Sequence, residues 1–288
     1  MKFTLQALSY LLALFYTQAA SLRSLEDPCE GLTITQTIKD KGINPDQEIL
    51  YNSTRISWND VCTVVKAWNE KFPNKPFLLE DDLNNNLLTV SALFGNAAEE
   101  SDHYLACAEY VTPCPDPSKC SGGAVTDYED DKWGTCYQVP VVSGGTFEMT
   151  GVLPANACGT TPSCTATNGN SYTGTDCWYG RGALQLTWDC NYAKANVLIG
   201  ELGLGINVCN TPDSVCSDGK TFFATSLAYW MMTVEDVFQE DHRMDTAMNC
   251  VKSGCDAPYS GTWTGSGAET RRAEFNRLTQ LLGATPNP

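Results

Sequence analysis

The 288-residue chain has no apolar run long enough to cross a bilayer. A transmembrane helix needs about 20 such residues, and the longest candidate, Leu8 to Tyr16, falls well short. Positive charge is also scarce: 18 Lys and Arg stand against 34 Asp and Glu, for a net charge of −16. A surface of that sign repels phosphate backbones, anionic membranes and anionic wall polymers, so nucleic acid and membrane are excluded as partners. It carries no such penalty with an uncharged polysaccharide. No internal repeat and no inter-domain linker are visible. The acidic stretch Asp127 to Asp131 lacks the spacing of a calcium loop and reads as an ordinary loop.

What is there begins with an address. Lys2, the apolar run and the small residues of Thr17-Gln18-Ala19-Ala20 have the layout of a cleavable signal peptide over residues 1–20. The expectation is a secreted, extracellular, monomeric protein with one domain over residues 21–288. All 14 cysteines lie downstream of residue 20, and in an oxidising compartment they read as up to seven disulfides. Their spacing does not choose among on the order of 10⁵ pairings. Asn52-Ser53-Thr54 is a glycosylation sequon suited to a surface loop.

Periodicity predicts helices. Ser57 and Asp60 make a capping-box start to a helix over 56–72, with Trp58, Val61, Val65, Trp68 and Phe72 on one stripe. A second helix follows Asp82 and runs to Glu99-Glu100 along Leu87, Val90, Phe94 and Ala97. A third is predicted over 221–238, its acidic end Glu235 to Asp241 solvated and His242 on the surface. A fourth covers 268–282, with Gly283 as its stop. Residues 110–177 are rich in Gly, Pro, Ser, Thr and Cys and show no helical period. They read as a loop insertion stapled by disulfides, with room for a small sheet.

Residues 178 to 192, Trp-Tyr-Gly-Arg-Gly-Ala-Leu-Gln-Leu-Thr-Trp-Asp-Cys-Asn-Tyr, gather aromatics, an arginine, amides and a hydroxyl around two glycines. A sugar, polar at its rim and apolar on its faces, needs that mixture. A glycine turn leading into a half-buried strand would fit the same composition. Upstream, Glu100 closes a predicted helix and Glu109 follows nine residues later. Glycoside hydrolysis uses such a pair, one carboxyl giving a proton to the leaving oxygen and the other activating water. In a chain with 34 acidic residues, spacing alone does not carry that reading.

Together these features resemble the family 19 glycoside hydrolases, chitinases of plants and some bacteria. The likeness runs over about residues 85–283. It is densest at Tyr179-Gly180-Arg181-Gly182-Ala183-Leu184-Gln185-Leu186-Thr187 and continues into Asn191-Tyr192. Weaker matches are Ala228 to Met232, Met248-Asn249 and Thr270-Arg271-Arg272. The resemblance implies a mainly α, lysozyme-like, two-lobed fold with a central cleft and long disulfide-stapled loops. It implies endo-hydrolysis of β-1,4-linked N-acetylglucosamine polymers with inversion, by Glu100 as general acid and Glu109 as general base. It gives Thr187, Gln185 and Asn191 the task of positioning water and sugar. Tyr179, Arg181 and Asn249 fall on further site positions, and Arg181 is expected to brace the glutamates. No metal or organic cofactor is implied.

The chain departs from the family pattern at several points. Glu99 precedes the acid where many members have His. Asp102 and His103 replace glycines, Cys190 replaces an aromatic, and Cys250-Val251 replaces Gly-Gly after Asn249. A basic residue common in the long core helix is missing, and Ala224 stands near its place. His103 and Cys107 have metal-ligand spacing, but a disulfide for Cys107 and a solvated His103 are the simpler reading. Trp133, Trp178, Trp188 and Trp263 divide between sugar platforms and core. Two alternatives stay open: a catalytically weak glycan-binding protein on the same fold, and a peptidoglycan-cleaving hydrolase.

Overall fold

The computed structural model describes residues 27–79, 82–108, 136–153, 158–165 and 169–287. The expected signal peptide, the loop Asp127 to Asp131, Trp133 and Glu109 lie outside the described residues. The fold is mainly α-helical, as the resemblance implies. In chain order the helices begin with α1 (Thr33–Asp40), α2 (Pro45–Glu48), α3 (Trp58–Lys71) and α4 (Leu83–Glu100). Two hairpins follow. β1 (Cys136–Ser143) pairs antiparallel with β2 (Thr146–Leu153) across a Gly144–Gly145 turn, and β3 (Ser163–Thr165) pairs with β4 (Ser171–Thr173). Then come α5 (Asp189–Gly200), α6 (Ser214–Ser217), α7 (Gly219–Thr233), α8 (Glu235–Asp241), α9 (Met244–Ser253) and α10 (Ala268–Leu282).

Local chemistry explains the boundaries. At the start of α3 the Ser57 hydroxyl accepts from the Asp60 N–H, and the Asp60 carboxylate accepts from the Ser57 N–H. Two backbone donors that a helix start leaves without partners are thereby satisfied. α4 starts where Asp82 accepts from the Asn84 N–H. α7 starts where Asp218 accepts from the N–H and hydroxyl of Thr221.

α4 and α7 form the centre of the core. Every residue of α4 from Asn86 to Ala98 is buried, and α7 is apolar nearly all round, with Phe222, Phe223, Leu227, Ala228, Trp230 and Met231 buried. A helix of that kind belongs inside a protein. Phe94 of α4 stacks on Phe223 of α7 with ring centroids 5.9 Å apart. Each such ring contributes about 1.5–3 kcal/mol through burial. α10 packs along α4 and comes closest at Gly95. A β-carbon there would lie 3.2 Å from the Phe275 nitrogen and 3.4 Å from the Arg271 carbonyl oxygen. The missing side chain lets α10 carry Arg271 to the end of α4.

The structure corrects three expectations in one region. The helix predicted over 221–238 is two pieces, α7 and α8, meeting at Val234. Glu235 is 2% exposed, because its carboxylate accepts from the Trp230 indole and from Gln239. His242 is buried at the left-handed end of α8, its ring against Phe238. The acidic end of this helix therefore folds one carboxylate inward.

Five disulfides join described residues: Cys29–Cys62, Cys107–Cys216, Cys158–Cys209, Cys164–Cys177 and Cys250–Cys255. Cys190 is also disulfide-bonded. Cys107 is therefore a staple and not a metal ligand. His103 is part-exposed, with its ring edge against Tyr51. Among the described residues no helix is long and apolar enough to cross a membrane.

Candidate active site

A cleft of about 930 Å³ opens between the end of α4, the 178–191 segment and the C-terminal turn of α9. Glu100, Tyr179, Arg181, Gln185, Thr187 and Asn191 all line it. Asn249 does not; it sits part-buried in α9, and Val251 and Lys252 reach the cleft in its place. Glu109 lies outside the described residues; Ala106, Cys107 and Ala108 line the cleft.

Glu100 is the last residue of α4, with its side chain 11% exposed. Two cations meet on one of its oxygens. Arg271 from α10 donates to Oε1 at 2.8 Å, and Lys252 from α9 lies 2.9 Å from the same atom. The Arg271 side chain is 2% exposed and also donates to Asn96 Oδ1 at 2.9 Å. Glu99, its neighbour, turns the other way and packs against Gly267 at the start of α10. Tyr229 of α7 completes the surround. Burial pushes its phenol up to about 12, with the Glu100 charge adding to the effect, and its hydroxyl donates to the Val251 carbonyl at 3.0 Å.

The chain leaves α4 through an unusual turn. Asp102, His103 and Tyr104 are all left-handed, at φ 48°, 53° and 65°. Such backbone costs on the order of 1–2 kcal/mol per non-glycine residue. Several bonds hold it. His103 N–H donates to the Ala98 carbonyl at 2.7 Å, Ala106 N–H to the Ser101 carbonyl at 2.9 Å, and the Tyr104 hydroxyl to the Phe94 carbonyl at 3.1 Å. The turn delivers Ala106, Cys107 and Ala108 to the cleft.

The 178–191 segment forms the facing wall, and it is neither an open turn nor a strand. Arg181 and Leu186 exchange backbone hydrogen bonds around a tight loop, and Ala108 bridges Arg181 from the other side. Gly182 makes the loop possible. Its φ is +83°, and a β-carbon there would lie 3.0 Å from Thr225 Oγ1 and 3.3 Å from the Phe222 carbonyl oxygen. α5 then begins at Asp189.

The polar side chains of this wall first brace the wall itself. Gln185 Nε2 donates to the carbonyls of Cys107 (3.1 Å) and Gly182 (3.0 Å), tying the loop to the segment that follows α4. Thr187 Oγ1 donates to the Gln185 carbonyl at 2.8 Å, and Asn191 Nδ2 donates to the Thr187 carbonyl at 3.0 Å. An amide has two N–H donors and one acceptor oxygen. Gln185 thus offers the cleft an acceptor, suited to a water or a sugar O–H or N–H. Thr187 likewise keeps lone pairs for a donor.

Glu109 lies outside the described residues, and Arg181, expected to brace the glutamates, does not have Glu100 among its partners. Its buried guanidinium donates to Asp213 Oδ1 (2.8 Å), the Tyr192 hydroxyl (3.0 Å) and the Cys177 carbonyl (2.5 Å). It also stacks 3.6 Å over the Tyr179 ring, whose phenol burial pushes up to about 12. The cations on Glu100 come from Arg271 and Lys252. Arg271 could be read in the Thr270-Arg271-Arg272 match. Lys252 could not, since it follows the Cys250-Val251 departure and lies in none of the matched segments. Trp178 is core, whereas Trp188 is 39% exposed at the cleft. Trp263 is part-buried against the core.

The charged residues lining the cleft are Arg55, Arg181 and Lys252 against Glu100 and Asp213, counting described residues alone. The lining thus lacks the strong negative excess of the whole chain.

Comparison with known proteins finds this chain's relatives among chitinases. Residues 122–272 match the family model described as chitinase class I. An endochitinase of Carica papaya is 30% identical over 165 residues, which cover 54% of this chain and 57% of that one. The acidic endochitinase SP2 of Beta vulgaris is 41% identical over 63 residues, covering 22% and 20%. The chain thus spans little more than half the length of the first of these curated relatives and a fifth of the second. Chitinase C from Streptomyces griseus HUT6037 shares the fold with a TM-score of 0.52 at 14% identity, over 90% of this chain and 80% of that one. A bacterial family 19 chitinase does so with a TM-score of 0.50 at 16% identity, over 89% and 97%.

Proposed function

The chain belongs to the class I chitinase family of glycoside hydrolases, and on that premise we propose that it is a secreted, monomeric endo-hydrolase of β-1,4-linked N-acetylglucosamine polymers that inverts the anomeric centre. The observation that carries this is Glu100. It is a nearly buried carboxyl at a helix end, lining a cleft walled by the 178–191 segment and fixed by two cations on one oxygen.

In this reading Glu100 gives its proton to the oxygen of the scissile bond as the bond from carbon to that oxygen breaks. Glu109 takes a proton from a water that attacks the same carbon from the opposite face. The two protons and the electron pair balance: one new hydroxyl forms on the leaving sugar and one on the anomeric carbon. Thr187 Oγ1 and the amide oxygens of Gln185 and Asn191 receive hydrogen bonds from the water and the sugar. The acceptors of this wall suit a neutral glycan, whose hydroxyl and acetamido groups are donors.

Hydrolysis of N-acetylglucosamine oligomers by the wild type and by Glu100→Gln tests it. The wild type cleaves internal linkages, and the variant loses at least a hundredfold in kcat. Undiminished hydrolysis by Glu100→Gln overturns the assignment. Because Asn249 is absent from the cleft lining, a glycan-binding protein of weak activity is the second reading. Tight oligomer binding by the wild type without turnover would favour it.

A further inference from the structure

Lys252 is used by nothing in the scheme so far, yet it faces the cleft and lies 2.9 Å from the proposed acid. We propose that Lys252 is a positioning residue for proton delivery: with Arg271 it pins Oε1 of Glu100, so that Oε2 is the oxygen that carries and gives up the proton. The inference rests on the hydrolase reading above.

The two cations are held by different means. Arg271 is buried and anchored by Asn96, so it fixes where Oε1 lies. Lys252 is 36% exposed and reaches Glu100 from the last turn of α9. That turn is itself tied down. The Cys250–Cys255 disulfide brackets Lys252, and Tyr229 holds the adjacent Val251 carbonyl from α7. The C-terminal end of a helix also favours a cation. Both positive partners converge on Oε1, and Oε2 has no hydrogen-bond or ion-pair partner among the described residues.

A proton added to the carboxyl therefore goes to Oε2, since Oε1 already accepts from Arg271 and faces the Lys252 ammonium. When that proton leaves for the glycosidic oxygen, the carboxylate reappears facing two fixed positive charges, which stabilise it as it forms. Among the described residues, the groups that face Glu100 are Arg271 from α10, Lys252 from α9 and the neutral phenol of Tyr229 from α7.

The test compares the wild type with Lys252→Met and Lys252→Arg by two readouts. The first is the pH profile of kcat/KM on N-acetylglucosamine oligomers. Loss of the cation makes the acid hold its proton more tightly. Lys252→Met should move the alkaline limb up by on the order of one pH unit and lower kcat about tenfold, while Lys252→Arg restores most of both. The second, independent of activity, is a crystal structure of Lys252→Met, in which the Glu100 carboxyl leaves its wild-type rotamer. An unmoved carboxyl with an unmoved alkaline limb overturns the role of Lys252 while leaving the hydrolase intact. A displaced carboxyl in a protein whose wild type hydrolyses no oligomer overturns the hydrolase reading and upholds the pinning of Oε1 by Lys252.

Discussion

Arg271 and Glu100 are separated by 171 residues in the chain and by 2.8 Å in the fold. The guanidinium is almost fully buried between the Glu100 carboxylate and the Asn96 side chain, so it ties α10 to the end of α4. Removing one partner of a buried pair leaves the other without its compensation. Arg271→Met should cost about 3 kcal/mol in urea unfolding and abolish hydrolysis. Arg271→Lys keeps a charge but cannot span both partners, so it recovers only part of the stability. An unchanged unfolding midpoint in Arg271→Met would show that the pair carries no structural weight.

Gly182 should tolerate no side chain. A β-carbon there meets both an unfavourable φ of +83° and the surface of α7. Gly182→Ala is expected to lose about 2 kcal/mol and to displace the loop that carries Gln185 and Thr187. Thermal melting reads the first effect and KM on oligomers the second. A variant matching the wild type in both would contradict the close approach of this loop to α7.

The buried tyrosines predict a loss of stability at high pH. Burial first, and other contacts after it, raise Tyr51, Tyr179 and Tyr229 from 10.0 to about 12 in the folded protein. The unfolded chain then loses protons at lower pH than the folded one. Their contribution is complete below pH 10 and disappears as pH climbs towards 12. For Tyr229 the effect is on the order of 2 kcal/mol. Tyr229→Phe should flatten the fall in Tm between pH 10 and 12, and an equally steep fall in the variant would count against this origin.

The Cys107–Cys216 bridge closes a separation of 109 residues, much the longest among the described disulfides. On chain entropy its loss costs roughly 4–5 kcal/mol, against about 2 kcal/mol for Cys250–Cys255 with a separation of 5. The Cys107 carbonyl also accepts from Gly182 and Gln185. The double variant Cys107→Ala/Cys216→Ala should therefore lose activity at temperatures where it is still folded. Paired melting and activity curves check this; coincident loss of fold and activity would assign the bridge to stability alone.

Legibility in the sequence followed physical signal. α3, α4 and α10 could be read because caps and a single apolar stripe coincide there, at Ser57 with Asp60, at Asp82 and before Gly283. α5 could not. Trp188, just before its first residue, makes no side-chain cap, and its apolar residues do not form one stripe. α9 carries a readable signal, since Met244, Ala247, Met248 and Val251 keep helical spacing, but it has no side-chain cap to mark its start. The cleft wall at 179–191 was legible as a motif, whereas the partners of its side chains were not. Gln185 meets Cys107 across 78 residues, and Arg181 meets Asp213 across 32. No local pattern encodes such pairings. Lys252 was hidden for the same reason, because nothing near it in sequence points to Glu100.

The central claim concerns two carboxyl groups acting from opposite faces of one sugar, and the configuration of the first product tests it most directly. Proton NMR of N-acetylglucosamine oligomers during the first minutes of hydrolysis should show the α anomer at the new reducing end, ahead of its equilibration with the β form. A new end that appears first as the β anomer would contradict the account.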